Sequence, residues 1–123
     1  YTGAYCWAGK TPDGKVRENA EIAKFTAEYE DGSNANIPVI YGKQIIDWWA
    51  DPSWQEVSTL NENNCFIAWQ GPNRSVSKVT LYYLKWSNPE PDKPLKSIEV
   101  SKKNADNDTV FFLLGVTGAT PSE

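Results

Sequence analysis

Tryptophan and carboxylate side chains crowd one short stretch of the chain, Asp47-Trp48-Trp49-Ala50-Asp51-Pro52-Ser53-Trp54-Gln55. Indole rings stack on the apolar C–H faces of sugar rings, and carboxylates and amides pair with sugar hydroxyls. Trp48, Trp49 and Trp54, with Asp47, Asp51 and Gln55, supply both kinds of group. If the segment is extended, adjacent Trp48 and Trp49 point to opposite sides, so one packs inward and at most one is free to stack. The competing reading of the same three indoles is ordinary core or rim packing. Asn73 and Arg74 fall on a turn further along, where a guanidinium can serve as a rim donor to acidic sugars or simply as a solvated loop charge. Asn73-Arg74-Ser75 and Asn107-Asp108-Thr109 are N-glycosylation sequons, meaningful only in a eukaryotic secretory setting.

Several chemistries are excluded or weakened by residue type. The chain has no His, so a Ser-His-Asp or Cys-His nucleophile system is impossible within it. Carboxylates close in sequence, Asp47 with Asp51 and Glu28 with Glu30, could in principle cut glycosidic bonds. Acidic groups on strand faces are ordinary solubilising groups, and a small sandwich offers little depth for a cleft, so the expectation is a protein that is not an enzyme. Asn104, Asp106 and Asp108 alternate like the start of a calcium loop, but Thr109 and Gly115 stand where that loop requires Gly and Glu, and the EF-hand reading fails. No cofactor is expected, with a structural calcium ion elsewhere in the domain as the one open exception. Cys6 and Cys65 are either two buried thiols or one disulfide closing a loop of about 60 residues, the latter stabilising by roughly 4 kcal/mol.

The 123 residues fit one domain, and 40% apolar with 23% charged residues is the balance of a globular protein. The formal net charge is −4, and an acidic domain repels phosphate backbones, so nucleic acid is not an expected partner. No apolar run approaches the ~20 residues that span a bilayer, so no membrane partner is expected. Absence of Met implies a mature or excised segment of a longer product, and the composition fits a secreted or cell-surface protein.

Period-2 alternation dominates the chain. Strands are predicted at Tyr1 to Trp7, around Phe25, Ala27 and Tyr29, and at Ala35, Ile37 and Val39, with turns at Asp31-Gly32 and Tyr41-Gly42. Pro38 lacks an N–H, which places that strand at an edge or a bulge. Thr11 to Gly14 carries a turn signal, and Glu56 to Leu60 reads as a brief helical turn or an edge strand. Cys65, Ile67 and Trp69 alternate with Phe66, Ala68 and Gln70, and both sets are largely apolar, so a central strand covered on both sides is predicted. Ser75 to Trp86 reads as the longest strand. Leu95 to Val100 and Val110 to Thr117 complete the set, with a rigid Pro-rich turn at Asn88 to Asp92 and a polar loop at Asn104 to Asp108. Seven or eight short strands at regular spacing predict an all-β, antiparallel β-sandwich over residues 1–117, followed by a linker or tail over 118–123.

One stretch carries a family resemblance. Trp86-Ser87-Asn88-Pro89-Glu90-Pro91-Asp92-Lys93-Pro94-Leu95-Lys96-Ser97-Ile98-Glu99-Val100 resembles a segment of galactose-binding-domain-like β-sandwiches attached to bacterial polysaccharide-degrading enzymes. Phe112-Leu113-Leu114-Gly115-Val116-Thr117 resembles the last strand of that family, and Tyr29-Glu30-Asp31-Gly32, Ile37-Pro38-Val39 and Tyr41 to Trp49 its middle. The resemblance implies a jelly-roll accessory domain that binds a polysaccharide or oligosaccharide beside a tethered catalytic domain. Such domains begin with further strands ahead of the Tyr1 to Trp7 segment, which implies a trimmed sheet or one completed by a second chain. A structural or protein-interaction sandwich is the alternative function.

Overall fold

The computed structural model describes residues 2–7, 21–49, 51–75, 77–102 and 110–119. Seven strands and one helix follow in the order β1 (Thr2–Trp7), β2 (Glu21–Tyr29), β3 (Asn34–Ile40), α1 (Trp54–Glu62), β4 (Cys65–Gly71), β5 (Val79–Leu84), β6 (Leu95–Lys102) and β7 (Val110–Val116). They form a four-stranded sheet, β4-β5-β1-β7, and a three-stranded sheet, β3-β2-β6. All strand pairs are antiparallel. The all-β expectation holds for the described residues. The Thr11 to Gly14 turn, the Asn104 to Asp108 loop and the second sequon lie outside them, as does the tail from residue 120 onward.

Alternation in β2 explains the core. Phe25, Ala27 and Tyr29 are buried while Lys24, Thr26 and Glu28 are only partly so. Phe25, Ile22, Ala23 and Val39 of the smaller sheet share one apolar cluster with Cys65, Tyr82 and Leu84 of the larger, together with Tyr41, Ile45, Ile46 and Leu60. Phe25 also meets Phe111 of β7 edge to face, with ring centroids 6.0 Å apart. The two sheets therefore bury their facing residues against each other.

The β2–β3 hairpin turns where the sequence predicts. Gly32 takes φ +86°, a left-handed conformation that glycine adopts without penalty. The Asp31 carboxylate accepts the Ser33 hydroxyl and backbone N–H, and these bonds, helped by Lys93 at 3.2 Å, hold its pKa down at about 2. The Pro-rich turn docks onto this hairpin: Tyr29 donates its hydroxyl to Asn88 Oδ1, and the Glu30 N–H bonds the Pro94 carbonyl at 2.9 Å. Pro38 sits on the edge strand β3, where its missing N–H faces no partner strand.

Three expectations are corrected. Helix α1 runs nine residues rather than a single turn. It is secured by a reciprocal capping box: Ser53 Oγ accepts the Glu56 N–H at 3.2 Å, and the Glu56 carboxylate accepts the Ser53 N–H at 2.6 Å. The predicted long strand from Ser75 to Trp86 is only six residues, Val79–Leu84: Asn73 Oδ1 holds the Ser75 N–H in a turn ahead of it, and beyond it the Lys85 N–H makes one more bond in register, to the Asn64 carbonyl, where β4 begins. β4 is an edge strand, not a central one, and its alternation is broken by a bulge between Ile67 and Trp69.

Phe25 is the side chain that most directly couples the sheets. A Phe25→Ala variant should lose about 3–5 kcal/mol in urea denaturation, the range for deleting a buried aromatic ring, and an unchanged midpoint would show that the sheets are held elsewhere.

Candidate functional site

The Trp-rich segment folds as a chain of turns leading into α1. Gly42 at φ +86° starts it, the Gly42 N–H bonds the Ile45 carbonyl at 2.8 Å, and Gln44 Oε1 accepts the Ile40 N–H at 3.0 Å. Ile45 and Ile46 are buried, which pins the segment to the core. The Asp47 N–H then donates to the Tyr41 hydroxyl oxygen at 3.3 Å, and Asp47 Oδ1 accepts the Trp49 N–H at 3.0 Å. That last bond closes a tight Asx turn.

This turn changes the geometry expected for the two indoles. Trp48 and Trp49 do not point to opposite sides; their rings meet edge to face at 4.7 Å. Trp48 is half-buried and Trp49 is 40% exposed. The two rings pack on each other in a turn rather than dividing between the two faces of a strand, and neither belongs to the buried core cluster. Trp54 is 81% exposed at the first position of α1, and Gln55 beside it is exposed as well.

A neighbouring loop closes on this segment. The Trp48 carbonyl accepts the Thr80 N–H at 2.9 Å, and Asp51 pairs with Lys78 at 3.1 Å. The pairing of β1 with β5 runs from Thr2 opposite Leu84 to Ala4 opposite Tyr82. The 47–49 turn therefore occupies the flank of β5 just past the last paired residue of β1. Asn73 and Arg74 lie exposed in the β4–β5 connection that also carries Lys78. The structure thus brings the Trp turn and the Asn73-Arg74 loop to one end of the larger sheet, with Lys78 as the residue that joins them. Lys78 escaped the sequence reading, since a single lysine after a turn has no distinguishing spacing.

Charge at the site is modest. Partial burial raises the Asp47 pKa, opposed by the bond from the Trp49 N–H. Asp51 and Lys78 are both well exposed, so their pair fixes position more than it stabilises. Among the described residues no group of three or more acidic, Cys or His side chains could hold a metal ion, and no helix is long and apolar enough to cross a membrane.

The disulfide alternative is corrected by strand register. Cys65 is a buried free thiol whose pKa burial pushes up to about 12. Cys65 and Thr2 both pair with Leu84, from opposite flanks of β5, and Cys6 lies four residues further along β1. Strand spacing and rise then separate the two Cα positions by roughly 16 Å, far outside the ~7 Å limit for a bridge.

Asp47 offers a pH test. Its raised pKa means that ionisation costs the folded state, so its contribution is fully favourable below about pH 4 and is lost as pH rises through the folded value. Asp47→Asn keeps the Oδ1 acceptor for the Trp49 N–H and removes the charge. The variant should melt at a higher temperature than the parent at pH 7, with the gap closing below about pH 4; a gap that persists in acid would assign the effect to packing. Compared with known proteins, the chain matches no family model, no curated protein and no solved structure.

Proposed function

We propose that this chain is a non-catalytic carbohydrate-binding module, built as a jelly-roll, galactose-binding-domain-like sandwich. The observation that carries the reading is the exposure of Trp54 and Trp49, 81% and 40%, on either side of Asp51, which pairs with Lys78 of the β4–β5 connection; exposed Gln55, Asn73 and Arg74 are the further polar groups of these two segments. A fold that buries Tyr29, Tyr82 and Phe25 almost completely has left these large apolar rings in water, which is the arrangement a sugar-stacking surface needs. Polar groups around the rings would take the sugar hydroxyls. On this reading the module acts at the cell surface or outside the cell, holding a tethered catalytic domain near its polysaccharide and raising local enzyme concentration. It requires no cofactor for that role.

A second reading, a protein-interaction sandwich, is favoured by one specific observation. β6 is an edge strand, and Leu95, Ile98 and Val100 on it are exposed although they pair with buried Tyr29, Ala27 and Phe25. Those residues could pack against a catalytic domain or a partner subunit that completes the sheet.

The two readings part in one experiment. Affinity electrophoresis through a panel of soluble polysaccharides should retard the parent protein. Trp49→Ala and Trp54→Ala should each weaken retardation by about tenfold, with no loss of melting temperature for the far more exposed Trp54. A parent that no polysaccharide retards, yet that dimerises or captures a catalytic domain through β6, would replace the first reading with the second.

A further inference from the structure

The strand β4 carries a third exposed indole, and two separate backbone features put it there. Simple alternation from Cys65 and Ile67 would turn Trp69 into the core. Instead the strand bulges at Ala68: Ile67 pairs with Tyr82, which is buried, whereas Trp69 pairs with Leu81 on the opposite face. Gln70 then resumes the inner row, opposite fully buried Thr80, and donates to its hydroxyl at 3.1 Å. One inserted residue has flipped Trp69 outward while the rest of the strand keeps its faces.

The second feature is Gly71. A Cβ at that position would lie 2.2 Å from Trp69 Cζ2 and 2.4 Å from Cη2, so the indole lies in the space that a side chain would fill. The ring is thereby laid along the strand against the Gly71 backbone, and Trp69 remains 48% exposed. Packing against glycine uses one side of the ring; the other is left to solvent. Phe66 and Tyr83, paired on the same outer face, stack at 5.2 Å with an interplanar angle of 27°.

Resting on the carbohydrate reading, we propose that the outer face of β4–β5 is a sugar-binding surface, with Trp69 as the ring that stacks on the apolar face of a neutral pyranose chain. The charge pattern selects the ligand class. The outer-face positions open to solvent are Phe66, Trp69 and Gly71 on β4 and Leu81 and Tyr83 on β5, and none carries a charge; Val79 opposite Gly71 is covered, at 3% exposure, and Lys85 continues the row past Tyr83. An acidic polysaccharide would meet one cation, Lys85 at the end of the row, on a domain that as a whole is acidic. A ring held in place before binding loses little freedom when a sugar arrives, which is the advantage of seating it on glycine.

The test uses the whole chain and four soluble probes: hydroxyethylcellulose, arabinoxylan, galactomannan and polygalacturonate. The parent should be retarded by at least one neutral probe. Trp69→Ala should weaken that retardation by about tenfold. Gly71→Ala, which keeps the indole but evicts it from its seat, should weaken it comparably, while Trp69→Phe should retain part of it. Near-ultraviolet circular dichroism and thermal melts establish that each variant is folded, and Trp69→Phe carries the comparison if Trp69→Ala does not fold. Parent-like binding by folded Trp69→Ala and Gly71→Ala, with Trp49→Ala or Trp54→Ala impaired, would overturn this surface and leave the carbohydrate reading standing. Retardation by polygalacturonate alone would overturn the neutral ligand class. A parent retarded by none of the four would remove the carbohydrate reading and this surface with it.

Discussion

Thr80 is fully buried, and a buried hydroxyl and N–H must find partners inside the protein or cost about 1–3 kcal/mol each. The N–H goes to the Trp48 carbonyl at 2.9 Å, and the hydroxyl receives the Gln70 side-chain amide at 3.1 Å. Those two bonds fasten quite different parts of the chain to one residue of β5. On one flank they fix the turn that presents Trp48 and Trp49. On the other they fix β4 just after its bulge, so that Gln70 faces inward and its neighbours Trp69 and Gly71 face outward. The aromatic surfaces on both sides of β5 depend on this residue being satisfied, and an apolar replacement would leave the Gln70 amide to find another acceptor.

Local chemistry made much of the fold legible in the sequence. The β2–β3 hairpin follows from alternation on both sides of Asp31-Gly32, and Pro38 correctly marks an edge. The faces of β5 are also those alternation gives, with Thr80, Tyr82 and Leu84 inward. Helix α1 had its own signal, Ser53 followed by Glu56 three residues later, but it sits among indoles and a proline and lacks a broad apolar stripe; only Leu60 is buried on it. Its stability comes from the cap and from attachment to β4, and periodicity therefore says little about it.

What failed to show in sequence was non-local. The apolar character of both faces of β4 suggested cover on both sides. In the structure one face meets the core, and the other is an outward aromatic row on an edge strand. An alternating pattern cannot distinguish the two, because it records hydrophobicity and not what covers it. The bulge is equally invisible: a one-residue slip reassigns every later side chain, and only the pairing of Trp69 with Leu81 reveals it. The length of β5 was overestimated for a related reason. Lys78 fits a continuing strand by residue type, yet it is tied to Asp51, and past Lys85 the partner strand β4 has ended.

The exposed indoles differ in how they are held, and that difference has consequences for binding. Trp54 stands at the first position of a helix with most of its surface in water, so a ligand that stacks on it must also immobilise it. Ordering such a side chain costs on the order of 0.5–1.5 kcal/mol at an interface. Trp49 is partly restrained, by its edge contact with Trp48 and by the bond from its N–H to Asp47. Trp69 is restrained most, lying against Gly71 with the bulge fixing its direction. Equal contact area on the three rings would therefore not yield equal affinity. On the proposed reading, the ring whose orientation is already set by the backbone would return the largest share of its contact energy as binding, and a ligand would gain more from stacking on the β4 face than on the more exposed helix end.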